Sequence, residues 1–149
     1  MVVMLDLLLG SPGESKESIE QTVELVRKAR PDCAGVSLGV RVYPGTELAA
    51  QVATEEHASG LTGGKDSFDP LFFLEPQIAP YVSDWLDALI GDDKRFLFFD
   101  PSRPKQNYNY NSNQRLVEVI QQGYRGAFWD LLRLFGEGSP EPSDAANQA

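Results

Sequence analysis

The residues best suited to hold a ligand lie in a short turn, Gly10–Glu14, that directly follows an apolar run ending at Leu9. A glycine turn that leads into the N-terminus of a helix can hold an anion on free backbone N–H groups. The turn lacks the lysine of a P-loop and the G-x-G-x-x-G spacing of a dinucleotide-binding motif. An ordinary tight turn therefore stays open as the alternative to a phosphate or nucleotide contact.

The turn belongs to a pattern of strand, helix and strand. Residues 2–9 and 34–42 form two apolar runs typical of strands that are covered on both faces. Between them, apolar residues recur at offsets of four and three, which predicts an amphipathic helix capped by Ser15 and ended by Pro31. Such a βαβ unit makes the two strands parallel. Its ligands bind beyond the carboxyl ends of the strands, which here carry the two glycine-containing turns, 10–14 and 43–46.

The second apolar run has an unusual face. Alternation with a period of two places Ser37, Gly39, Arg41 and Tyr43 on one side of this strand. That side either meets solvent or a helix, or it lines the interior of a barrel and faces a ligand. Asp6, in the first run, is a carboxylate that must be paired or face a polar cavity. Arg41 is its predicted partner.

The rest of the chain predicts shorter elements and three regions. Thr46 is predicted to cap a short helix, Gly91 to end a helix over residues 81–90, and Ser112 or Asn113 to cap a long helix that reaches residue 135. A short strand is predicted near residues 95–99. The regions are a βαβ half over residues 1–57, a C-terminal extension with helices and one short strand over 58–135, and a disordered tail over 136–149.

Composition excludes several classes of function. The chain has 149 residues, of which 42% are hydrophobic, as in ordinary globular domains. Its net charge of −9 argues against nucleic acid and anionic membranes as partners. No apolar run approaches the roughly 18 residues of a membrane span. Cys33 is the single cysteine, which excludes an internal disulfide and favours a reducing, cytoplasmic location. No metal site is predicted.

Two motifs carry a resemblance to a known family. Leu5–Ser15 and Gly39–Thr46 together resemble the fifth and sixth strands of a radical S-adenosylmethionine (radical SAM) enzyme barrel. Later, Phe98–Pro101 and Asn107–Asn111 resemble the C-terminal region of radical SAM proteins that also carry a cobalamin-binding domain. The resemblance implies an α/β fold in which this chain is a partial (β/α) barrel. It would supply the last two β/α units and a helical C-terminal extension.

The resemblance also implies which residues contact the cofactor S-adenosylmethionine. The family's fifth strand carries a Gly-x-Ile-x-Gly-x-x-Glu-like pattern beside the adenine. Leu8 and Gly10 match the Ile-x-Gly core of this pattern, whereas its flanking Gly and Glu are absent. Leu8 and Gly10 are therefore the expected adenosyl contacts. Gly39 and Arg41, on the next strand, are further candidates.

The chain departs from the family at the iron–sulfur cluster. The cluster is held by three closely spaced cysteines in this family, and Cys33 alone cannot hold a [4Fe-4S] cluster. The resemblance therefore implies a C-terminal fragment of a longer enzyme, inactive alone, whose missing N-terminal barrel half supplies the cluster. The chain's entry into a core strand almost at its first residue favours the same expectation.

Three hypotheses about function result, of which the third is a small phosphate- or nucleotide-binding domain that uses residues 10–15. In the first, the complete enzyme uses S-adenosylmethionine, a [4Fe-4S] cluster and cobalamin for radical chemistry on a small-molecule substrate, such as methyl transfer or rearrangement. This chain contributes adenosyl and substrate contacts but not the cluster. In the second, the chain is a non-catalytic α/β module that needs a partner chain or forms a homodimer, because two parallel strands leave apolar edges and faces to cover.

Overall fold

A computed structural model describes residues 1–64, 70–99, 107–108 and 113–136. These residues form two three-stranded sheets and five α-helices. In chain order the elements are β1 (Met4–Leu9), α1 (Lys16–Ala29), β2 (Cys33–Leu38), β3 (Val40–Arg41), α2 (Glu47–Val52), a 3₁₀ turn (Ala58–Gly60), β4 (Leu61–Thr62), β5 (Phe72–Phe73), α3 (Val82–Ile90), β6 (Phe96–Phe98), α4 (Gln114–Gln121) and α5 (Phe128–Phe135).

The first sheet, with strand order β1-β2-β6, confirms the predicted parallel βαβ unit. At the start of β2, the Cys33 N–H donates to the carbonyl of Val3 at 3.2 Å. Beyond its end, the Gly39 N–H donates to the carbonyl of Leu9 at 2.8 Å. Since both bonds join residues at like ends of the strands, β1 and β2 run in the same direction. β6 then pairs with β2 in parallel over residues 34–36.

The predicted second strand, residues 34–42, is not continuous, which corrects our expectation. β2 ends at Leu38, and β3 pairs antiparallel with β5 in a second sheet of order β3-β5-β4. Gly39 lies between them with a φ of 86°, a value that glycine adopts readily and other residues do not. Gly39 therefore turns the chain out of the parallel sheet. The side-to-side alternation predicted from Ser37 to Tyr43 does not continue through this residue.

The helix ends agree with the capping residues predicted from sequence. The hydroxyl of Ser15 accepts from the Ser18 N–H at 3.3 Å, and the hydroxyl of Ser18 accepts from the Ser15 N–H at 3.0 Å. Thr46 caps α2 in the same way, through the Ala49 N–H at 3.2 Å. Because each cap satisfies N–H groups that have no partner within their helix, short polar residues are selected at these positions.

The long helix predicted to reach residue 135 is two helices, α4 and α5. The two glycines between them, Gly123 and Gly126, have φ values of 100° and 148°, which an α-helix does not contain. The break resets the helical phase. In α5, Leu132 and Phe135 are buried, whereas Leu134 is 43% exposed.

The described residues divide into two compact units. One contains Met1–Asp6, Pro31–Val36 and the described residues from Lys94 onward, and the other contains Leu7–Arg30 and Ser37–Asp93. The core of the first unit comprises Cys33, Leu97, Leu116, Val119, Leu131, Leu132 and Phe135. The second has a core cluster of Val42, Val52 and Phe73. The boundary at residue 57 stays a prediction from composition, and the predicted tail beyond Gly136 lies outside the described residues.

None of the helices in the described part of the chain has the length and hydropathy that a membrane-spanning helix requires.

In the second unit, Arg27 of α1 binds the C-terminal end of α3. Its Nη2 donates to the carbonyl of Leu89 at 2.7 Å and to that of Ile90 at 3.1 Å. We expect Arg27→Ala to lower the free energy of unfolding by about 1–2 kcal/mol, because two helix-terminal carbonyls lose a charged donor. Urea denaturation of the purified chain measures this loss.

Lys28→Ala is the matched control for Arg27→Ala. The Lys28 ammonium lies 3.8 Å from the Glu24 carboxylate in an exposed pair one helical turn apart. Such pairs contribute about 0.3–0.5 kcal/mol. Equal losses of stability in the two variants would show that the α1–α3 bond contributes nothing beyond surface charge.

Candidate functional site

The turn Gly10–Glu14 follows the carboxyl end of β1, as predicted, but its backbone donors are already bonded. The N–H groups of Gly10 and Ser11 both donate to Oε2 of Glu14, the second at 3.2 Å. The Gly13 N–H donates to Oε2 of Glu75 at 2.8 Å. A bound phosphate would need these same N–H groups. The geometry therefore favours a turn closed by the protein's own carboxylates over a phosphate-binding loop.

A later segment, which sequence patterns did not bring to the turn, completes this arrangement. Glu75 is 6% exposed, and its N–H donates to the carbonyl of Gly10 at 2.9 Å. The side chain of Leu74 occupies the space that a Cβ on Gly10 would need, and Gly10 has a φ of 99°. The positive φ favours glycine at this position, and any larger residue would also displace the Leu74 side chain. The contact between Gly13 and Glu75 spans 62 residues, so no local signal could predict it.

Leu8, the first expected adenosyl contact, lies near the end of β1, next to the turn, and is 62% exposed. Asp6, two residues earlier on the same face, is also exposed, whereas Leu9 is buried. The prediction that β1 is covered on both faces is therefore wrong. The strand lies at the end of the sheet order, and its side chains alternate between a covered and an open side. An exposed leucine at a strand end can pack on a flat apolar ring such as adenine.

Gly10 and Gly39 lie together in the structure. A Cβ on Gly10 would lie 3.5 Å from the amide nitrogen of Gly39. A Cβ on Gly39 would in turn lie 3.4 Å from the carbonyl oxygen of Phe73. The close approach that Gly39 allows is thus an approach of the protein's own backbone, from β5.

Arg41, the last of the four predicted contacts, is exposed at the end of β3. Its guanidinium lies 4.9 Å from the ring centroid of Tyr43, a cation–π contact. Leu8 and Arg41 therefore present side chains to solvent, whereas Gly10 and Gly39 are buried.

Asp6 has a partner other than the predicted Arg41. Its Oδ1 accepts from the Tyr108 hydroxyl at 3.3 Å. The Tyr108 ring packs against the ring of Phe99, with centroids 5.5 Å apart. Gly35 of β2 faces this group, since a Cβ there would lie 3.0 Å from the Tyr108 hydroxyl. The late motif that carried part of the family resemblance thus contacts β1, although only Phe98, Phe99, Asn107 and Tyr108 of it lie among the described residues.

Cys33 does not fit a cluster ligand. It is buried in the core of the first unit, and burial raises the pKa of its thiol. Iron–sulfur ligands are thiolates, so both the single cysteine and its surroundings disagree with a [4Fe-4S] site in this chain. Within the described residues, no group of three or more His, Cys, Asp or Glu side chains could hold a metal ion.

The fold described above is similar to part of TsrM from Kitasatospora setae, a radical S-adenosylmethionine methyltransferase. Its structure with tryptophan substrate and the SAM analogue aza-SAM bound matches 89% of this chain, with a TM-score of 0.70 and 24% identity. The TsrM structure with cobalamin and a [4Fe-4S] cluster bound matches the same share of the chain, with a TM-score of 0.63 and 21% identity. The resemblance predicted from sequence is confirmed as a resemblance of fold.

The matched region covers 32% of the TsrM chain, so this chain spans about a third of the enzyme that it resembles. No protein-family model and no curated protein sequence matches the chain.

Proposed function

We propose that this chain is the C-terminal part of a radical SAM enzyme and contributes adenosyl and substrate contacts but not the iron–sulfur cluster. One observation carries the proposal: 89% of the chain shares its fold with about a third of TsrM, a methyltransferase whose structure holds a SAM analogue. The parallel order β1-β2-β6 supports the interpretation as the last two β/α units of a partial barrel. The cluster and cobalamin, which supply the radical and methyl-transfer chemistry, would be held outside this chain.

The four predicted contacts take different roles in this proposal. Leu8 packs against one face of the adenine, because it is the exposed apolar side chain beside the turn. Gly10 and Gly39 are buried against Leu74 and the carbonyl of Phe73, so they would act by holding the backbone path beside Leu8. Arg41 offers an exposed planar guanidinium to a carboxylate or to the adenosyl ring. Together these groups would bind and orient the cofactor and exclude water from one side of it.

A titration with S-adenosylmethionine tests the proposal. We expect it to shift the backbone amide resonances of residues 8, 10, 39 and 41, with a Kd of about 1 mM, because this chain supplies only part of the binding surface. Leu8→Ala should weaken binding about 5-fold, because the variant lacks the apolar surface that the bound cofactor would cover.

Leu25→Ala is the control, because Leu25 is an equally exposed leucine, at 66%, on α1 of the same unit. ATP shares the adenosine and adds phosphates, so it distinguishes adenosyl contacts from an anion site in the turn. Resonances that stay unmoved, or an equal effect of the two leucine variants, would refute the assignment of Leu8, Gly10, Gly39 and Arg41 to the cofactor.

The partner that we propose is a parallel strand from the N-terminal barrel half, added beside β1. β1 stands at the end of the sheet order; Leu8 is exposed on it, and Val2 and Val3, which precede it, are also exposed. An exposed apolar edge strand is a template for pairing with another chain. The same observation favours the second candidate, a non-catalytic module that forms a homodimer through β1. Sedimentation velocity separates the two: a dimer that Leu8→Lys dissociates supports the module, and a stable monomer excludes it.

A further inference from the structure

A buried carboxylate from outside the βαβ segment holds the turn after β1. Glu75 follows β5 and is 6% exposed. None of the described basic side chains forms an ion pair with it. Burial of a carboxylate without a cation is costly unless hydrogen bonds replace the lost water. Its position therefore needs an explanation in terms of the groups that it binds.

Glu75 binds both sides of the turn. Its N–H donates to the carbonyl of Gly10 at 2.9 Å, and its Oε2 accepts from the Gly13 N–H at 2.8 Å. Its other carboxylate oxygen accepts from the Gln77 N–H at 3.3 Å, and its carbonyl accepts from the N–H groups of Ile78 and Ala79. Every polar group of Glu75 thus has a backbone partner, which removes it from direct contact with a ligand.

Glu14 and Glu75 bind the turn in different ways. Glu14 belongs to the turn and binds N–H groups three and four residues before it, so its bonds form with the local fold. Glu75 lies 62 residues beyond Gly13 and follows β5, so its bond depends on the position of the second sheet. The neighbouring Leu74 packs against Gly10 at the same point. The segment after β5 therefore determines where the turn sits.

We propose that Glu75 is a positioning residue of the adenosyl site, acting through Gly10 and Gly13 on the strand end that carries Leu8. This inference rests on the proposed function, which places the adenosyl group at that strand end. Glu75 touches no ligand in this arrangement. It fixes the backbone that does.

Two measurements on the full chain test this inference. In Glu75→Ala, we expect hydrogen exchange of the Gly13 amide to accelerate about tenfold or more, because that amide loses its acceptor. We also expect the Kd for S-adenosylmethionine to rise about fivefold in the folded protein, measured well below its melting temperature. Glu75→Gln keeps an acceptor oxygen at the same reach and should restore most of both properties.

Glu56→Ala is the control, since Glu56 is an exposed carboxylate in the same unit. It should change neither measurement. Should Glu75→Ala fail to fold, Glu75→Asp provides the comparison, because its carboxylate is one methylene too short to reach Gly13.

The outcomes separate this inference from the proposed function. Unchanged exchange at Gly13 overturns the inference whatever the cofactor does. Faster exchange with an unchanged Kd would mean that Glu75 only stabilises the turn, which also overturns the inference. If the unaltered chain binds no S-adenosylmethionine, the proposed function fails and the positioning role fails with it. The exchange data still show in that case whether Glu75 holds the turn.

Discussion

Replacement of Phe73 by alanine is expected to lower the free energy of unfolding by about 3–5 kcal/mol. The side chain is fully buried at the centre of a cluster with Val42 and Val52. It also fills the space above Gly60, where a Cβ would lie only 2.6 Å from its ring. The backbone of Phe73 pairs with both β3 and β4, so the cavity left by the substitution lies at the central strand of the second sheet. Urea denaturation measures the loss.

Phe72→Ala is the matched control for Phe73→Ala. Phe72 precedes Phe73 in β5, and its replacement by alanine removes the same phenyl group. Its side chain, however, is 38% exposed. We expect a loss of about 1 kcal/mol or less, typical of a substitution near the surface. Similar losses in the two variants would mean that burial in the second sheet does not decide the stability of this unit. Because Glu75 follows this strand, Phe73→Ala should also accelerate exchange at the Gly13 amide.

Gly10→Ala is expected to cost about 2–4 kcal/mol, from two separate causes. The φ of 99° strains any residue with a Cβ, by about 1–3 kcal/mol. The new Cβ also collides with the Cδ1 end of the half-buried Leu74 side chain, whose displacement adds about 1 kcal/mol. Thermal and urea denaturation of the purified variant measure the sum.

Two further variants divide that cost. Gly13 has a φ of 79°, and no atom lies within 4 Å of a Cβ built on it. Gly13→Ala should therefore lower the free energy of unfolding by about 1–2 kcal/mol, through backbone strain alone. Gly10→Ala combined with Leu74→Ala should show a favourable interaction energy, since the shorter side chain at position 74 removes the atoms with which the new Cβ clashes. Additive losses in the double variant would place the whole cost of Gly10→Ala in the backbone angle.

Features fixed by neighbouring residues were predictable from the sequence. Ser15 and Thr46 cap their helices as expected, because capping depends on side chains a few residues from the helix start. The parallel direction of β1 and β2 was predictable because an intervening helix permits no other common connection. The family motifs then identified the fold that TsrM confirms.

Features fixed by distant contacts were not predictable. The apolar run from residue 34 to 42 continues past Gly39 without a change in pattern, although β3 pairs with a strand about thirty residues later. The exposure of Leu8 depends on what packs against that face of β1, and composition does not contain that information. Glu75 resembles any surface glutamate in the sequence. Only the fold shows that it meets Gly13.

The self-bonded turn after β1 has a consequence for the cost of binding. A glycine loop that waits for a ligand loses backbone entropy when the ligand arrives, and this loss weakens the observed affinity. Here the amides of Gly10, Ser11 and Gly13 already have carboxylate acceptors, so the loop is preorganised in the free protein. A ligand that lies against it need order nothing further there.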